Sequence, residues 1–222
     1  MSVCARRSSE PAFTLTTHVE PGAARERVEV FLEAEYQRAF GGRIRAHYPV
    51  LMAATGPGGE VLAAAGYRPA RDERLFLEQY LDDPVEHVVG QALGAAVSRG
   101  DIAEIGNLAS VSPCASRTLF LALADQLRAL GCRFAVATAT RQLRRSFRRL
   151  SFPVTPLARA DAARLPRAGD DWGGYYARDP QVLVGAIDRA LPALRAGPVA
   201  LEAIAGRLAR RAGGYMAQQA SA

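Results

Sequence analysis

The sequence predicts an α/β (α+β) fold in which a central mixed β-sheet is flanked by helices on both faces. Three observations lead to this prediction. Short apolar segments alternate along the chain with longer segments whose apolar residues recur at helical spacing. Two of the short segments are separated by the turn "GPGG", which is typical of an antiparallel hairpin. One strong helix lies between two further strands, so those strands are expected to be parallel neighbours joined by a crossover.

Each predicted element follows from a local pattern. The predicted strands are short apolar runs between turn residues, and they cover residues 12–19, 50–55, 60–68, 101–110 and 133–139. The predicted helices carry apolar residues every three or four positions, and they cover residues 21–40, 113–130, 140–150, 180–194 and 198–212. The stretch from Leu75 to Val97 should begin extended and become helical after Pro84.

The clearest helix follows the fourth strand. Ser112 is a good N-cap, Pro113 suits the first helical position, and Gly131 ends the pattern. Three regions are predicted along the chain: a flexible tail at residues 1–11, a sheet-containing domain at 12–178 and a C-terminal helical extension at 179–222.

Composition excludes several classes of chemistry. All 28 basic residues counted as Lys+Arg are arginines, so Schiff-base catalysis and a P-loop lysine are ruled out. The three cysteines form no CxxC pair and the three histidines are scattered, so neither a disulfide framework nor a metal site is expected. The first residues lack the apolar core of a signal peptide, and no apolar run is long enough to span a bilayer. We therefore expect a cytoplasmic protein.

Five separated motifs resemble the thermostable haemolysin family of bacterial proteins: "HYPVLMAA", "AAAGYR", "LFLEQYLDDPVE", "EIGNLAS" and "WGGYY". The order of elements is similar to the GCN5-related N-acetyltransferase (GNAT) fold, and within it to the acyl-homoserine-lactone synthases. Those synthases transfer acyl groups from acyl carrier protein. The resemblance implies a splayed central sheet that holds an acyl thioester, and an essential glutamate on the fourth strand. The co-substrate would be acyl-coenzyme A or a phosphopantetheine-linked thioester, with no permanently bound cofactor.

Glu104 is the leading catalytic candidate, since it occupies the position of that glutamate. It is an acid in an otherwise apolar strand, so burial should raise its pKa and suit it to act as a general base. The alternative is an ion pair with Arg68 across the sheet. Glu78 and Tyr80 are further candidates, as an acceptor-binding carboxylate and a general acid. A core role for Tyr80 is the alternative, and Asp82, Asp83 and Glu86 are explained by capping of the helix after Pro84.

The end of the fourth strand and the start of the next helix are predicted to bind the co-substrate. Free N–H groups at a helix N-terminus attract phosphate, and an asparagine in a splayed strand can bind the thioester or the pantetheine amide. The candidates for co-substrate binding are Asn107, Leu108, Ala109, Ser112, Cys114, Ser116 and Arg117. The alternatives are a turn-side hydrogen bond for Asn107 and an inert thiol for Cys114. The junction "SVSPCASR" lacks the glycines of the superfamily's loop. This absence weakens the case for coenzyme A as the acyl donor more than the case for a carrier protein.

Two further segments have open interpretations. The helix "RQLRRSFRR" carries an arginine face that could dock an acidic acyl carrier protein or an anionic membrane surface, or simply be solvated; its members are Arg141, Arg144, Arg145, Arg148 and Arg149. The charge alone would also suit nucleic acid, but the chain contains no nucleic-acid-binding motif, and we predict no such partner. The segment "DWGGYY" predicts a tight turn whose rings pack on the core or line an acyl pocket.

Three functions remain open from the sequence. The first is an acyltransferase that moves an acyl group from a thioester to an amine or hydroxyl of a small molecule, with Glu104 as base. The second is a membrane-active, lipid-binding protein, as the family name implies. The third is an inactive GNAT-like fold that binds a partner, which the missing glycine loop favours.

Overall fold

A computed structural model describes residues 13–149, 152–165 and 171–195. Their strands form one sheet in the order β1-β2-β3-β4-β5-β7-β6. The strands are β1 (Thr14–His18), β2 (Val50–Thr55), β3 (Val61–Pro69), β4 (Ile102–Ser110), β5 (Phe134–Ala139), β6 (Val154–Arg159) and β7 (Gln181–Ala186). The helices are α1 (Ala23–Phe40), α2 (Val85–Leu93), α3 (Pro113–Ala129), α4 (Arg141–Arg149) and α5 (Ile187–Arg195).

The sheet is mixed, as predicted. Strand β4 pairs in parallel with β5, and every other neighbouring pair is antiparallel. Helix α3 makes the crossover between the two parallel strands. The Ser112 hydroxyl accepts from the backbone N–H of Ala115 at 3.3 Å, and Pro113 occupies the first turn. The predicted cap therefore fixes where α3 begins, directly after the end of β4.

The C-terminal part of the prediction is wrong in one important respect. Residues 181–186 form strand β7, which lies between β5 and β6, whereas the sequence pattern predicted a helix over 180–194. Helix α5 begins only at Ile187. The consecutive residues Val182, Leu183 and Val184 are all buried, because both faces of this strand are covered. The sheet thus continues past residue 178, and strand β6 was also not predicted. The predicted tail at 1–11 and helix at 198–212 lie outside the described residues.

The segment after Leu75 also differs from the prediction. It was expected to begin extended, but Phe76–Tyr80 is a short 3-10 helix. The Glu78 carboxylate accepts from the backbone N–H of Leu75 at 2.8 Å and so closes the turn on itself. Helix α2 then begins after Pro84, as predicted.

The two faces of the sheet have different coverings. Helices α3, α4 and α5 cover one face, which we call the apolar face; Ala103, Ile105 and Leu119 belong to its core. Helix α1, the 3-10 helix and α2 cover the other face, which we call the glutamate face because Glu104 lies there beneath Phe76 and Leu77. Adjacent residues of β4 therefore enter different cores, since side chains alternate along a strand.

Strands β4 and β5 separate partway along their length. Their pairing ends at Ile105 and Ala137, although β5 continues to pair with β7 as far as Ala139. At the same point two residues of β4, Asn107 and Leu108, lie opposite a single residue of β3, which is a β-bulge. Asn107 has a φ of 44°, in the left-handed region. The predicted splay of the sheet is therefore present, and it begins at the bulge.

No helix in the part of the chain that the structure describes is long and apolar enough to cross a membrane.

Candidate active site

Glu104 lies in the middle of the glutamate face and is almost fully buried, with 1% of its surface exposed. Its carboxylate accepts from the backbone N–H groups of Phe76 at 2.8 Å and Leu77 at 2.9 Å. Arg68 is its register partner on β3, and the Arg68 Nε lies 3.6 Å from the Glu104 Oε2. The ion pair with Arg68 that the sequence offered as an alternative is therefore present, together with two backbone donors.

Burial is the main influence on the protonation of Glu104. It raises the pKa of the carboxyl group above its ordinary value, even though the backbone N–H of Phe76, the Arg68 charge, the backbone N–H of Leu77 and the Tyr48 hydroxyl all favour the charged form. The sequence predicted this direction. A carboxylate with a raised pKa is a better proton acceptor near neutral pH than an exposed one.

Tyr48 is the site residue that sequence reasoning missed. Burial, and then the charge of the nearby Glu104 carboxylate, raise the pKa of its hydroxyl well above its usual range. The Arg68 guanidinium lies 4.4 Å from the centre of the Tyr48 ring, a cation–π contact. The motif "HYPVLMAA" contains this tyrosine, but nothing in its spacing connects it with a strand more than fifty residues later.

Two glycines make room for the Tyr48 ring. A Cβ on Gly106 would overlap the hydroxyl end of the ring, and a Cβ on Gly66 would lie 2.6 Å from the Tyr48 Cβ. Both strands therefore need glycine where the ring crosses them. The backbone N–H of Tyr48 donates to the Asn107 Oδ1 at 3.1 Å, which ties the ring to the bulge.

The predicted co-substrate residues on β4 all lie at the bulge. The Asn107 side chain is buried and accepts from the Tyr48 backbone N–H, a hydrogen bond that spans fifty-nine residues and does not close a local turn. Tyr36 of α1 is buried, and this burial raises the pKa of its hydroxyl to about 12. Ala109 packs in the core beneath α1. The bulge is thus tied to the segment before β2 through the Tyr48 backbone.

The predicted residues at the start of α3 are not all directed at one point. The Ser112 hydroxyl caps the helix, and Ser116 is buried. Cys114 is exposed. The Arg117 guanidinium donates to the backbone carbonyl of Arg195 at 3.1 Å, towards the end of α5.

Glu78 belongs to a structural ion-pair network. Its two carboxylate oxygens each lie 2.8 Å from a nitrogen of the Arg99 guanidinium, which also donates to Glu86 at 3.0 Å. Burial by itself would raise the pKa of Glu78, but Arg99 and the backbone N–H groups of Leu75 and Val85 hold it at about 2. Glu78 therefore fastens the 3-10 helix to α2.

Tyr80 joins an aromatic cluster. Its hydroxyl lies 2.5 Å from that of Tyr176, and burial followed by this contact raises the pKa of Tyr80. Ring contacts connect the cluster from α1 to the 3-10 helix; its members are Tyr36, Phe40, Phe76, Tyr80, Trp172, Tyr175 and Tyr176. The Tyr175 hydroxyl donates to the backbone carbonyl of Thr138 at 3.2 Å, where β5 has left β4.

The predicted tight turn at "DWGGYY" allows this packing. Gly173 has a φ of +51°, and a Cβ there would collide with the backbone of Phe40 and Gly41. The backbone N–H of Gly174 donates to the Phe40 carbonyl at 2.7 Å, and Asp171 pairs with Arg45 at 2.6 Å. The turn is therefore fastened to the end of α1.

An apolar pocket of about 110 Å³ lies on the opposite face of the sheet. Ile105 and Ala137, the last paired residues of β4 and β5, line it together with Leu123 of α3 and Phe147 of α4. The pocket therefore reaches the point where the two strands separate.

A larger cleft of about 600 Å³ lies on the glutamate face. Arg68, Arg74 and Arg164 line it, with Phe76 and Gln79 from the 3-10 helix. Arg68 and Phe76 also contact Glu104 from above, so the cleft lies over the buried carboxylate.

The arginine face of α4 is partly engaged within the protein. Arg144 and Arg141 pair with Asp179, at 2.8 and 3.4 Å. Arg145 and Arg148 are exposed. The Arg149 side chain lies outside the described set.

Comparisons with known proteins agree with the fold. The model of a family described as "Thermostable hemolysin" matches residues 19–191. No curated protein matches the chain.

Several solved structures share the architecture. The apo form of TofI is 17% identical, with a TM-score of 0.55, over 83% of this chain and 98% of that chain. BjaI, a CoA-dependent acyl-homoserine lactone synthase solved with SAM and isopentyl-CoA, is 15% identical, with a TM-score of 0.55, over 83% and 89%. FeeM, an N-acyl amino acid synthase from uncultured soil microbes, is 13% identical, with a TM-score of 0.55, over 84% and 98%. At these identities the likeness shows the fold, and the predicted GNAT-like fold is confirmed.

Proposed function

We propose that this chain, which belongs to the thermostable haemolysin family, is an acyltransferase that moves an acyl group from a thioester to an amine or hydroxyl of a small acceptor. The observation that carries the proposal is the separation of β4 from β5 after Ile105 and Ala137. An apolar pocket opens at this point on one face, and a buried glutamate lies on the other.

The acyl chain would enter the apolar pocket. Its lining is almost entirely aliphatic and aromatic, so an acyl chain gains free energy by leaving water there. For scale, a dry cavity of about 150 Å³ holds one benzene ring. A pocket of about 110 Å³ therefore suits a chain of several carbons better than a bulky one.

The thioester carbonyl would lie between the separated strands. Beyond Ile105, the peptide groups of β4 have no partner on β5, and the bulge turns the chain at Asn107. Fixed N–H groups at such a point stabilise the negative charge that develops on the carbonyl oxygen during attack. Because the backbone is already in place, little reorganisation is needed at the moment of reaction.

Glu104 and Tyr48 would accept the proton. As the amine nitrogen attacks the thioester carbon, the C–N bond forms and the C–S bond then breaks. The Tyr48 hydroxyl, whose pKa is raised in part by the nearby Glu104 carboxylate, would take the amine proton and pass its own to that carboxylate. The thiolate leaves and takes up a proton.

The donor would be either an acyl carrier protein or acyl-coenzyme A. The exposed Arg145 and Arg148 offer positive charge to an acidic carrier. The glycine-free junction at the start of α3 gives poor access to a pyrophosphate, and so favours the carrier. Replacing both arginines by alanine should raise KM for a carrier-linked thioester and leave KM for acyl-coenzyme A unchanged.

The test is thiol release by the purified chain, with acyl-coenzyme A and acyl-carrier thioesters of several lengths and a mixture of amines. Release that requires an amine, together with the N-acyl product by mass spectrometry, supports the proposal. Absence of release with every donor would refute it. Leakage of dye from anionic lipid vesicles in the same preparation would then favour a membrane-active protein.

A further inference from the structure

The cleft over Glu104 is unusually rich in positive charge for its size. Three arginines line it, Arg68, Arg74 and Arg164, and Glu78 is the one lining carboxylate among the described residues. Arg99 forms an ion pair with Glu78 at 2.8 Å and neutralises its negative charge. The lining therefore carries excess positive charge.

Arg74 is the least engaged of the three. It is exposed, and it forms no hydrogen bond or ion pair with any residue in the ranges that the structure describes. The Arg68 Nε is buried and has no hydrogen-bond acceptor among the same residues, since Glu104 lies 3.6 Å away. Arg74 thus retains all its donors for a ligand, whereas the buried Arg68 Nε faces Glu104 and only the outer nitrogens of Arg68 can reach the cleft.

The ion pairs that Arg68 and Arg164 do form are easily exchanged. Glu73, which pairs with Arg68 at 3.1 Å, has a side chain that is 43% exposed. Asp82, which pairs with Arg164 at 2.8 Å, is 88% exposed. Pairs with such exposed carboxylates contribute little to stability, because water competes for both partners. A ligand carboxylate in the cleft can replace them.

We infer that the acceptor of this enzyme is an amine that also carries a carboxylate, such as an α-amino acid, and that Arg74 and Arg68 bind this carboxylate. The inference rests on the proposed function. Arginine binds a carboxylate through two parallel hydrogen bonds, which fixes orientation as well as position. Anchoring the acid at the cleft directs the amine of the same molecule towards the buried Glu104 and Tyr48 below.

The experiment compares matched pairs of ligands that differ only in the carboxylate. The pairs are tyrosine and tyramine, phenylalanine and phenethylamine, and leucine and isoamylamine. Binding to the full chain is measured by isothermal titration calorimetry without a thioester. The same measurements are made on Arg74→Ala and on Arg27→Ala, a control that removes an exposed arginine of α1 outside the cleft.

We expect at least one amino acid to bind about tenfold or more tightly than the matching amine, because its carboxylate adds a charge-assisted hydrogen bond to arginine. This preference should disappear in Arg74→Ala and persist in Arg27→Ala. The inference is overturned if each amine binds as tightly as its acid, if no acid binds, or if the preference survives in Arg74→Ala.

Its failure is distinguishable from failure of the proposed function. Thiol release with amines that lack a carboxylate, at rates equal to those with amino acids, would retain the acyltransferase and refute the carboxylate site. An Arg74-dependent preference for acids without thiol release from any donor would retain the site and refute the acyltransferase.

Discussion

The two faces of strand β4 differ sharply although their residues alternate along one strand. Ile105 enters an apolar pocket between helices, whereas the adjacent Glu104 enters a network of backbone donors, an arginine and a tyrosine. On the apolar face the fold leaves a pocket with apolar walls, and on the glutamate face two backbone donors, Arg68 and Tyr48 surround the buried acid. In the proposed function, one strand would bind an acyl chain on one side and move a proton on the other.

The difference has a physical cause. An apolar pocket needs only size and hydrophobic walls, so it tolerates exchange of similar side chains. A buried carboxylate needs all its partners, because an unsatisfied charge in the interior is strongly destabilising. Substitutions on the two faces should therefore have different kinds of effect.

The largest effect is expected from Glu104→Gln, which removes the proposed proton acceptor but keeps the size of the side chain. Acyl transfer should fall by about 10² to 10⁴-fold in kcat, the usual contribution of a general base. The measurement is thiol release at saturating donor. The matched control is Glu73→Gln, which removes the exposed carboxylate that pairs with the same Arg68. An equal loss in both variants would show that the acid acts only through Arg68.

The Glu78→Gln variant tests the structural part of the glutamate face. Breaking its buried pair with Arg99 should lower the free energy of unfolding by about 3 kcal/mol at pH 7. The folded pKa of Glu78, about 2, lies below the ordinary value of 4.5 for a glutamate. The stabilisation is therefore complete above the unfolded pKa and is lost as pH falls from about 5 to about 2.

Urea denaturation of the two proteins between pH 7 and pH 3 measures this dependence. The difference in unfolding free energy between wild type and Glu78→Gln should shrink as pH falls. Glu86→Gln, which removes the second acid on Arg99, is the control and should have a smaller effect. A difference that stays constant with pH would contradict the assignment of a charged, paired Glu78.

Substitution of Gly106 by alanine tests how closely the glutamate face is packed. The new Cβ would overlap the Tyr48 ring, so the ring must move and the free energy of unfolding should fall by about 1–3 kcal/mol. Gly100→Ala is the control, because its nearest contact would be the Ser98 Oγ at 3.8 Å. There alanine should stabilise by about 0.4–1 kcal/mol. Thermal unfolding of both variants measures these changes. Similar destabilisation by the two substitutions would show that the Tyr48 ring is not confined.

Substitutions on the apolar face should change the preference for acyl-chain length more than the free energy of unfolding. Ala137→Leu adds bulk where the pocket meets the separated strands, and should shift donor preference towards shorter acyl chains by about tenfold in kcat/KM. Rates are compared across a series of acyl lengths. Ala34→Leu, on the exposed side of α1, is the control. An unchanged length profile would place the acyl chain elsewhere.

A site residue could be predicted from the sequence only where a local pattern of residues marks it. Glu104 stood out because an acid in an apolar strand is unusual on local pattern alone. Tyr48 could not be found in this way, since its significance comes from two glycines on other strands that leave room for its ring. Glu78 was predicted as a site candidate. Its structural role comes from the ion pair with Arg99, which joins residues twenty-one positions apart in the sequence.

The sequence by itself determined the mixed sheet, the position of α3 after β4, and an acid within the fourth strand, because caps, turns and alternation are local. Only the tertiary structure decided that residues 181–186 form a strand, since pairing with β5 and β6 overrode the alanine-rich helical pattern. It alone also decided the separation at Ile105 and Ala137 and the cleft of three arginines. Such features arise from the meeting of distant segments, and no local pattern of residues encodes them.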